Sequence, residues 1–275
     1  MKGEAISVPG LHGTHCAGII ASTDATYRGV APGVQLLNVK ALLSDGRATQ
    51  QAITTGIDAA LDRDADVLSM SFGFNHLPTW SADGAGWTCP KDGAICTLCQ
   101  AADNASRLEK RVVVVAAGNW HNHAEALRRD NRGASFDTEL SCPGQWERVI
   151  TVGAITKQNF EMAAFSSRGP SAFGKAKPDL CAAGVNVTST VPRPRNGDGT
   201  PVGDPARDRL FARLSGTSMA TPVVAAAAAL LIGRRQREGL SWTHADIKEE
   251  LTTTGVVELA FGPNVSGAGR LSLAW

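Results

Sequence analysis

The chain has 275 residues, a formal net charge of +1 and a hydrophobic content of 43%. This length and apolar content predict a sizeable core, and the near-neutral charge gives no support for nucleic acid or an anionic membrane as a partner. The longest apolar run, 223–233, is shorter than the roughly 18 to 20 residues that span a bilayer, and it predicts a buried helix. The first ten residues contain no apolar h-region, so no signal peptide is visible.

Apolar β-branched runs alternate with helical patterns along the chain. Consecutive apolar positions, typical of strands covered on both faces, predict four strands. These are 34–42, 66–73, 111–119 and 148–155. Crossover helices are predicted at 49–64 and 101–110 from their periodicity and position. The alternation predicts an α/β fold, a three-layer sandwich with a mainly parallel central sheet, whose reactive residues lie beyond the carboxyl ends of the strands.

Two segments rich in Gly, Pro and Asp, 74–99 and 192–209, predict surface insertions. The sequence shows no internal repeat and no domain boundary within them or elsewhere. We therefore expect one domain over 1–275.

Three cysteines, Cys89, Cys96 and Cys99, cluster in the first insertion, and Cys142 follows later, so that four thiolates are available for a zinc ion. The Cys96-x-x-Cys99 spacing is typical of zinc thiolate sites, whereas the six residues between Cys89 and Cys96 are a loose spacing for one. One or two disulfides are the alternative; they would favour an exported, extracellular protein, and localisation otherwise stays open. Cys16 and Cys181 lie in apolar or Gly/Ala-rich surroundings and are predicted to be buried.

The strongest local signal is SGTSMATPVV, which begins at Ser215 and opens a long apolar helix. Pro222 favours a first helical turn because proline has no N–H to donate. Ser218 would then face the N–H groups and positive dipole of the helix start, which stabilise an alkoxide or oxyanion. The alternative is that Ser218 only caps a core helix.

Three other segments carry residues suited to chemistry. The strand VVVVAAGNW ends at Asn119, either a turn residue or an amide donor to an oxyanion. The strand LSMSFG ends in Ser71, Phe72 and Gly73, whose backbone can pair with an extended peptide. His12 opens a small-residue helix in HGTHCAG, as a catalytic histidine would.

Six motifs occur here in the order that they take in subtilisin-like serine proteases, the subtilases: HGTHCAG, SMSFG, VVVVAAGN, AAFSSRGP, KPDL and GTSMATP. The chain resembles this family from about residue 10 to 255, and the cysteine after the second histidine resembles the proteinase K branch. The resemblance implies hydrolysis of peptide bonds in peptide or protein substrates, through an acyl-enzyme and without a cofactor. Family members often bind calcium in surface loops, and the acidic segment 196–208 is either such a site or a solvated loop.

The resemblance also implies roles for individual residues. His12 would be the general base, His15 structural, Ser218 the nucleophile, and Asn119 the oxyanion donor together with the backbone N–H of Ser218. Ala117 and Gly118 would form a wall of the primary specificity pocket. The two edges of the substrate cleft would be Ser71, Phe72 and Gly73 on one side and Gly46, Arg47 and Ala48 on the other. No metal takes part in this chemistry.

The sequence departs from the family where the triad aspartate is expected. Subtilases order the triad Asp, His, Ser, but no Asp-Ser/Thr-Gly motif precedes His12. Asp24 lies about 18 Å along a continuing helix, Glu4 has no local sequence that fixes it behind His12, and Asp45 falls on the substrate-edge loop. Asp179, in KPDL, is structural in the family.

We therefore expect a fold without the first, Asp-bearing strand. One hypothesis is an endopeptidase completed by an N-terminal segment or subunit outside this chain. A second hypothesis is a subtilase-like domain that binds peptides or partners without cleaving them. A third is a transferase in which an amine resolves the acyl-enzyme. His121 and His123, just after Asn119, are either contacts to a metal or substrate or, more simply, surface-loop histidines.

Overall fold

The computed structural model describes residues 11–43, 46–74, 97–108, 110–129, 138–192 and 210–272. The helices are α1 (Leu11–Ala21), α2 (Gln50–Leu61), α3 (Thr97–Arg107), α4 (His121–Arg129), α5 (Thr217–Arg237), α6 (His244–Thr252) and α7 (Pro263–Ser266). The strands are β1 (Val67–Met70), β2 (Val112–Ala116), β3 (Ile150–Ile155), β4 (Leu180–Ala183), β5 (Val187–Thr190), β6 (Phe211–Leu214), β7 (Val256–Val257) and β8 (Arg270–Leu271).

The central sheet has the strand order β1-β2-β3-β4-β8-β7, and every neighbouring pair from β1 to β8 is parallel. Only β7 runs antiparallel to its neighbour β8, and β5 and β6 form a separate antiparallel pair. Strands β2 and β3 are buried along their whole length, which explains why they read as continuous apolar runs. The predicted α/β fold with a mainly parallel sheet is confirmed.

Helices cover both faces of the sheet, as the alternation along β2 shows. Val112 and Val114 pack in one core cluster with residues of α5 and α6, whereas Val113 and Val115 pack in another with residues of α2 and α3. Helix α5 is long and apolar enough to cross a membrane by length and composition, but two thirds of its most apolar window is buried against the sheet and its neighbours. It is the central core helix that the sequence predicts.

The strand predicted at 34–42 is wrong, because the structure assigns no strand there. A strand exists only with a hydrogen-bonded neighbour, and among the described residues no strand pairs with this segment. Val39 and Ala41 pack near Gly56 of α2, while Leu36 and Leu37 are about half exposed. In the described part of the chain, β1 is consequently the edge of the central sheet.

The two predicted insertions fall mostly outside the described residues, as do Cys89, Cys96 and the candidate calcium segment 196–208. The first insertion is shorter than predicted at its end, since α3 already begins at Thr97. Cys16 and Cys181 are buried as predicted. The carboxyl ends of β1 and β2 open at the same edge of the sheet, close to the start of α5.

Candidate active site

Helix α5 places Ser218 one residue inside its first turn. The Ser218 side chain is half-buried, and its Oγ donates a hydrogen bond to the backbone oxygen of Ser71, at 3.0 Å. The Ser218 N–H lies among the first N–H groups of the helix, which have no acceptor within the helix. Hydroxyl, free N–H and the positive end of the helix dipole therefore lie together at one point.

Pro222 does not lie in the first turn, which corrects the sequence interpretation. Helix α5 begins at Thr217, so the proline occupies the second turn, where its N–H would have bonded to the Ser218 oxygen. That carbonyl instead accepts hydrogen bonds from the Ser71 Oγ, at 2.9 Å, and from the Cys16 Sγ, at 3.4 Å. Ser71 and Ser218 are thus joined twice, each hydroxyl bonding to the other residue's backbone oxygen.

The side chain of Asn119 is oriented by Thr217. Its Oδ1 accepts the Thr217 backbone N–H at 2.9 Å and the Thr217 hydroxyl at 3.0 Å. Because both partners are donors, the oxygen must face α5, and the Nδ2 amine is left as the donor of the side chain. Asn119 is exposed, and its Nδ2 lies 3.5 Å from the position of a Cβ on Gly216, two residues before Ser218.

Gly118 is buried and has a φ of +107°, a conformation that side chains rarely adopt. A Cβ at this position would lie 2.5 Å from the Oγ of Ser141 and 2.9 Å from that of Ser167. The Gly118 N–H donates to the Thr217 Oγ1 at 3.3 Å. Glycine is therefore required where β2 turns towards Asn119, and Ala117, just before it, is fully buried.

Helix α1, which carries His12 near its start, contacts the start of α5. The helix is held by hydrogen bonds from the hydroxyls of Ser189 and Thr190 in β5 to its backbone oxygens at His15 and Thr14. The Cys16 contact to the Ser218 oxygen, described above, joins α1 directly to the start of α5. His12 itself is half-buried.

His15 is fully buried and has the structural position expected of it. Its Nε2 lies 3.1 Å from the backbone oxygens of both Val187 and Ala212, to which it donates. Burial lowers the pKa of His15 below its usual 6.5. The pKa of His12 is lowered as well, first by burial and then by the nearby His15. Both rings are therefore held towards the neutral form, in which an imidazole can accept a proton.

The candidate carboxylates within the described residues have other partners than His12. Asp24 caps its own turn by accepting the N–H groups of Thr26 and Tyr27, at 2.8 and 2.7 Å. In the described ranges no hydrogen bond or ion pair joins His12 to an acid. Glu4 and Asp45 lie outside those ranges.

Asp179 is the centre of a buried ion-pair network, in agreement with the structural role predicted for it. Its carboxylate lies 2.6 Å from the Nζ of Lys177 and 2.7 Å from that of Lys248, and it accepts the Thr151 N–H at 2.6 Å. Lys177 also donates to the Val149 oxygen at 2.8 Å. Despite burial, the two lysines lower the pKa of Asp179.

The two predicted cleft edges lie in different loops. Ser71, Phe72 and Gly73 follow β1, and a Cβ on Gly73 would lie 2.6 Å from the Ser141 Cβ. Gly46, with a φ of +78°, and Arg47 form a turn in which the Leu43 N–H donates to the Arg47 oxygen. Ala48 and Phe72 pack against the same core cluster, which brings the two edges to one side of the sheet.

Three further residues contact the predicted site residues without standing out in the sequence pattern, namely Ser141, Ser167 and Thr217. Ser167 and Thr217 do lie inside the quoted motifs AAFSSRGP and GTSMATP, so motif membership was the available signal. Ser141 has only its place before Cys142. The contacts of all three depend on how distant strands meet, which the sequence pattern does not give.

His121 is not a surface-loop histidine, as it is buried and begins α4. With Glu125 and Glu139 it forms a cluster whose possible metal ligand atoms lie within 4.8 Å of one another. The guanidinium of Arg128, however, bonds to both carboxylates, at 2.7 and 2.6 Å. Glu139 accepts the His121 Nδ1–H and the Arg168 backbone N–H as well. A cation of the protein already occupies the cluster, so we interpret it as an ion-pair network.

Comparison with known sequences finds relatives that align over most of the chain. The profile of the subtilase family matches residues 2–269. Serine protease AprX from Bacillus subtilis (strain 168) is 33% identical over 278 residues, which cover 95% of this chain and 56% of that protein. Subtilisin BL from Lederbergia lenta is 34% identical, over 92% of this chain and 76% of its own length. The chain thus spans about half the length of AprX.

Solved structures share the fold at lower sequence identity. The patellamide maturation protease PatA has a TM-score of 0.67 and 24% identity, with 95% of this chain and 80% of that one covered. The prenylagaramide maturation protease PagA has a TM-score of 0.66 and 21% identity, over 96% and 80% of the two chains. At these identities the likeness supports the fold.

Proposed function

The chain belongs to the subtilase family of serine proteases, and from that premise we propose that it is an endopeptidase with Ser218 as nucleophile, His12 as general base and Asn119 as oxyanion donor. One observation carries this proposal. Thr217, the residue before the nucleophile, holds the Oδ1 of Asn119 with two hydrogen bonds, so the amine of that amide is the group left to donate to an oxyanion.

The proposed reaction begins when substrate enters and Ser218 gives up its hydrogen bond to Ser71. The Ser218 hydroxyl transfers its proton to a ring nitrogen of His12 while its oxygen attacks the peptide carbonyl. The oxyanion accepts hydrogen bonds from the Asn119 Nδ2 and the Ser218 N–H, both fixed in place before the reaction. His12 then donates the proton to the leaving amine, and water hydrolyses the acyl-enzyme with His12 again as the base.

We further propose that the carboxylate for His12 comes from outside the described residues, on a strand that adds to β1. Two observations support such a strand. Strand β1 is an edge in the described part of the chain, and the hydroxyl of Ser69 within it is buried with no hydrogen-bond partner. The segment 34–43 also leaves Leu36, Leu37 and Leu43 exposed. An added strand would pair the edge and cover apolar surface.

The second candidate is a domain that binds peptides without cleaving them. It is favoured by the electrostatics of His12, since in the described residues no acid stabilises its imidazolium and its pKa is lowered. Loss of the triad aspartate lowers kcat by about 3 × 10⁴-fold in subtilisin itself, a relative of this chain. A chain without that carboxylate would therefore keep its cleft and turn over very slowly.

A fluorophosphonate probe tests the proposed chemistry. We expect it to label Ser218 of the wild-type chain, with labelling abolished in Ser218→Ala and strongly slowed in His12→Ala. His244→Gln is the matched control, because His244 is another histidine with a lowered pKa, on α6, and it should label like the wild type.

Equal and negligible labelling of the wild type and His12→Ala would overturn the enzyme proposal for this chain. Binding of an extended peptide by such an unreactive chain, measured by fluorescence anisotropy, would then support the second candidate. Addition of an Asp-bearing β-strand peptide tests the proposed carboxylate. A rise in the labelling rate supports it, and an unchanged rate at saturating peptide contradicts it.

A further inference from the structure

Two buried thiols meet behind the predicted substrate cleft. Cys99 lies in α3 and Cys142 lies in the loop before β3, 43 positions later in the sequence, yet their Sγ atoms are 2.9 Å apart. Both residues are almost completely inaccessible, at 0% and 1% exposure. The fold therefore brings two thiols from distant segments of the chain together inside the core.

We infer that Cys99 and Cys142 form a disulfide in the folded protein. An S–S bond is about 2.05 Å long, so the two sulfur atoms need to approach by less than 1 Å. With oxidised glutathione as the oxidant, one cysteine thiolate attacks the glutathione disulfide and releases one glutathione thiolate. The second cysteine then attacks the mixed disulfide and releases the other. Two cysteine thiols are oxidised, and one glutathione disulfide is reduced to two thiols.

The surroundings of Cys142 hold it in the position that the bond requires. Its N–H and its carbonyl oxygen both bond to the backbone of Phe74, each at 3.0 Å. The buried amide of Gln145 donates to the Leu140 oxygen at 3.1 Å, and its Nε2 lies 3.9 Å from the Cys142 Sγ. The backbone of Cys142 is therefore fixed on both sides, and the sulfur has little freedom to move away from α3.

The bond would join α3 to the wall of the predicted cleft. Ser141, next to Cys142, leaves no room for a Cβ on Gly73 or on Gly118. The disulfide would thus fix the position of Ser141 from behind. Because both thiols are inaccessible in the folded state, we expect the bond to form during folding and to resist reduction in the native protein.

Peptide mapping of the unmodified chain tests this inference directly. The reduced, unfolded protein is refolded with a mixture of reduced and oxidised glutathione, alkylated with iodoacetamide, and digested without reduction. We expect a cross-linked peptide pair containing Cys99 and Cys142 in at least nine of ten molecules. Recovery of either cysteine as the alkylated thiol in most molecules would overturn the inference. So would a disulfide from either one to Cys89 or Cys96, or one zinc ion bound per chain.

Thermal unfolding gives an independent measurement. The bond closes a loop of 43 residues, so protein refolded in dithiothreitol should melt about 5 to 10 °C below the oxidised form. The double variant Cys99→Ser/Cys142→Ser should show no difference between the two refolding conditions, and Cys181→Ala, a buried thiol elsewhere in the core, should keep it. An equal shift in the double variant would assign the effect to other cysteines and contradict the inference.

Discussion

Asp179→Asn removes the charge at the centre of the buried ion-pair network while keeping the size of the side chain. Lys177, only 1% exposed, would then lose its partner at 2.6 Å and keep the Val149 oxygen and the Thr151 hydroxyl as acceptors. Removing one member of a buried ion pair generally destabilises a protein by about 3 to 5 kcal/mol, because the other charge stays buried.

Titration of Lys177 makes part of that loss depend on pH. In the variant the lysine can escape its unpaired charge by releasing a proton, and its wild-type pKa of about 8 fixes how much this changes the loss. At about 1.36 kcal/mol for each pH unit, neutralising Lys177 in the wild type costs about 1.4 kcal/mol at pH 7 and nothing at pH 9, where it is already largely neutral. The expected loss of unfolding free energy is therefore about 3 to 5 kcal/mol at pH 7, and about 1.4 kcal/mol smaller at pH 9.

The sign of this pH dependence follows from where the lysine titrates in each state. Burial lowers the pKa of Lys177 to about 8 in the wild type, despite Asp179. A folded pKa below the unfolded one means that the unfolded chain binds more protons between the two values, so stability rises with pH there. Without Asp179 the folded pKa falls further, and the rise begins at lower pH. The gap between variant and wild type must consequently narrow as the pH increases.

Urea denaturation at pH 7 and pH 9 measures both quantities. The matched control is Asp64→Asn, which removes a carboxylate from an exposed ion pair with Arg111, where Asp64 is 90% exposed. It should change the unfolding free energy by less than about 1 kcal/mol at either pH. A loss below about 1.5 kcal/mol for Asp179→Asn at pH 7, or one of equal size at pH 9, would refute the reasoning.

Three further outcomes are expected. Asn119→Ala should lower kcat by about 10² to 10³-fold with little change in KM, the effect seen for the corresponding donor in subtilisin itself. Steady-state hydrolysis of a chromogenic peptide, by the chain supplied with its missing carboxylate, measures this. A change mainly in KM would contradict the oxyanion role. Burial and His15 lower the pKa of His12, which must be neutral to act as a base. Probe labelling of Ser218 in the chain alone should therefore reach half its maximal rate below pH 6.5. A midpoint above pH 6.5 would show that an acid already contacts His12. Burial raises the pKa of Cys16 to about 11. Iodoacetamide at pH 8, followed by mass spectrometry, should therefore leave Cys16 unmodified in the folded protein and alkylate it in urea. Rapid alkylation of Cys16 in the folded protein would contradict its burial.

The sequence predicts three strands of the central sheet correctly and one wrongly. Both outcomes arise because an apolar run reports the burial of side chains and not the pairing of the backbone. The runs at 66–73, 111–119 and 148–155 contain β1, β2 and β3, since a continuous apolar run describes side chains covered on both faces. The run at 34–42 is also largely apolar but forms no strand, because a side-chain pattern gives no information about a hydrogen-bonding neighbour. The short pairs β5–β6 and β7–β8 have no such pattern and were not predicted.

The residues of the candidate site were likewise predictable only in part. His12, Asn119 and Ser218 stand out in the sequence because each lies where a strand or helix begins or ends. Their supporting contacts do not, since Thr217 and Ser71 act on residues about 100 and 150 positions away. Such contacts depend on which elements are neighbours in the fold. His121 illustrates the opposite error, because a polar residue predicted on a surface loop is buried in a helix and hydrogen-bonded to Glu139.

Pro222 has a consequence for how the peptide group of the nucleophile is held. A helix of 21 residues gives up one of its internal hydrogen bonds, and the acceptor thus released is bound from outside by α1 and by the loop after β1. The start of α5 is therefore tied to two other elements of the fold through a single carbonyl oxygen. An alanine at this position would let the helix reclaim that oxygen, and Ser71 and Cys16 would compete with it. Although proline is a poor helix former, Pro222 thus allows α5, α1 and the loop after β1 to meet at the carbonyl oxygen of Ser218.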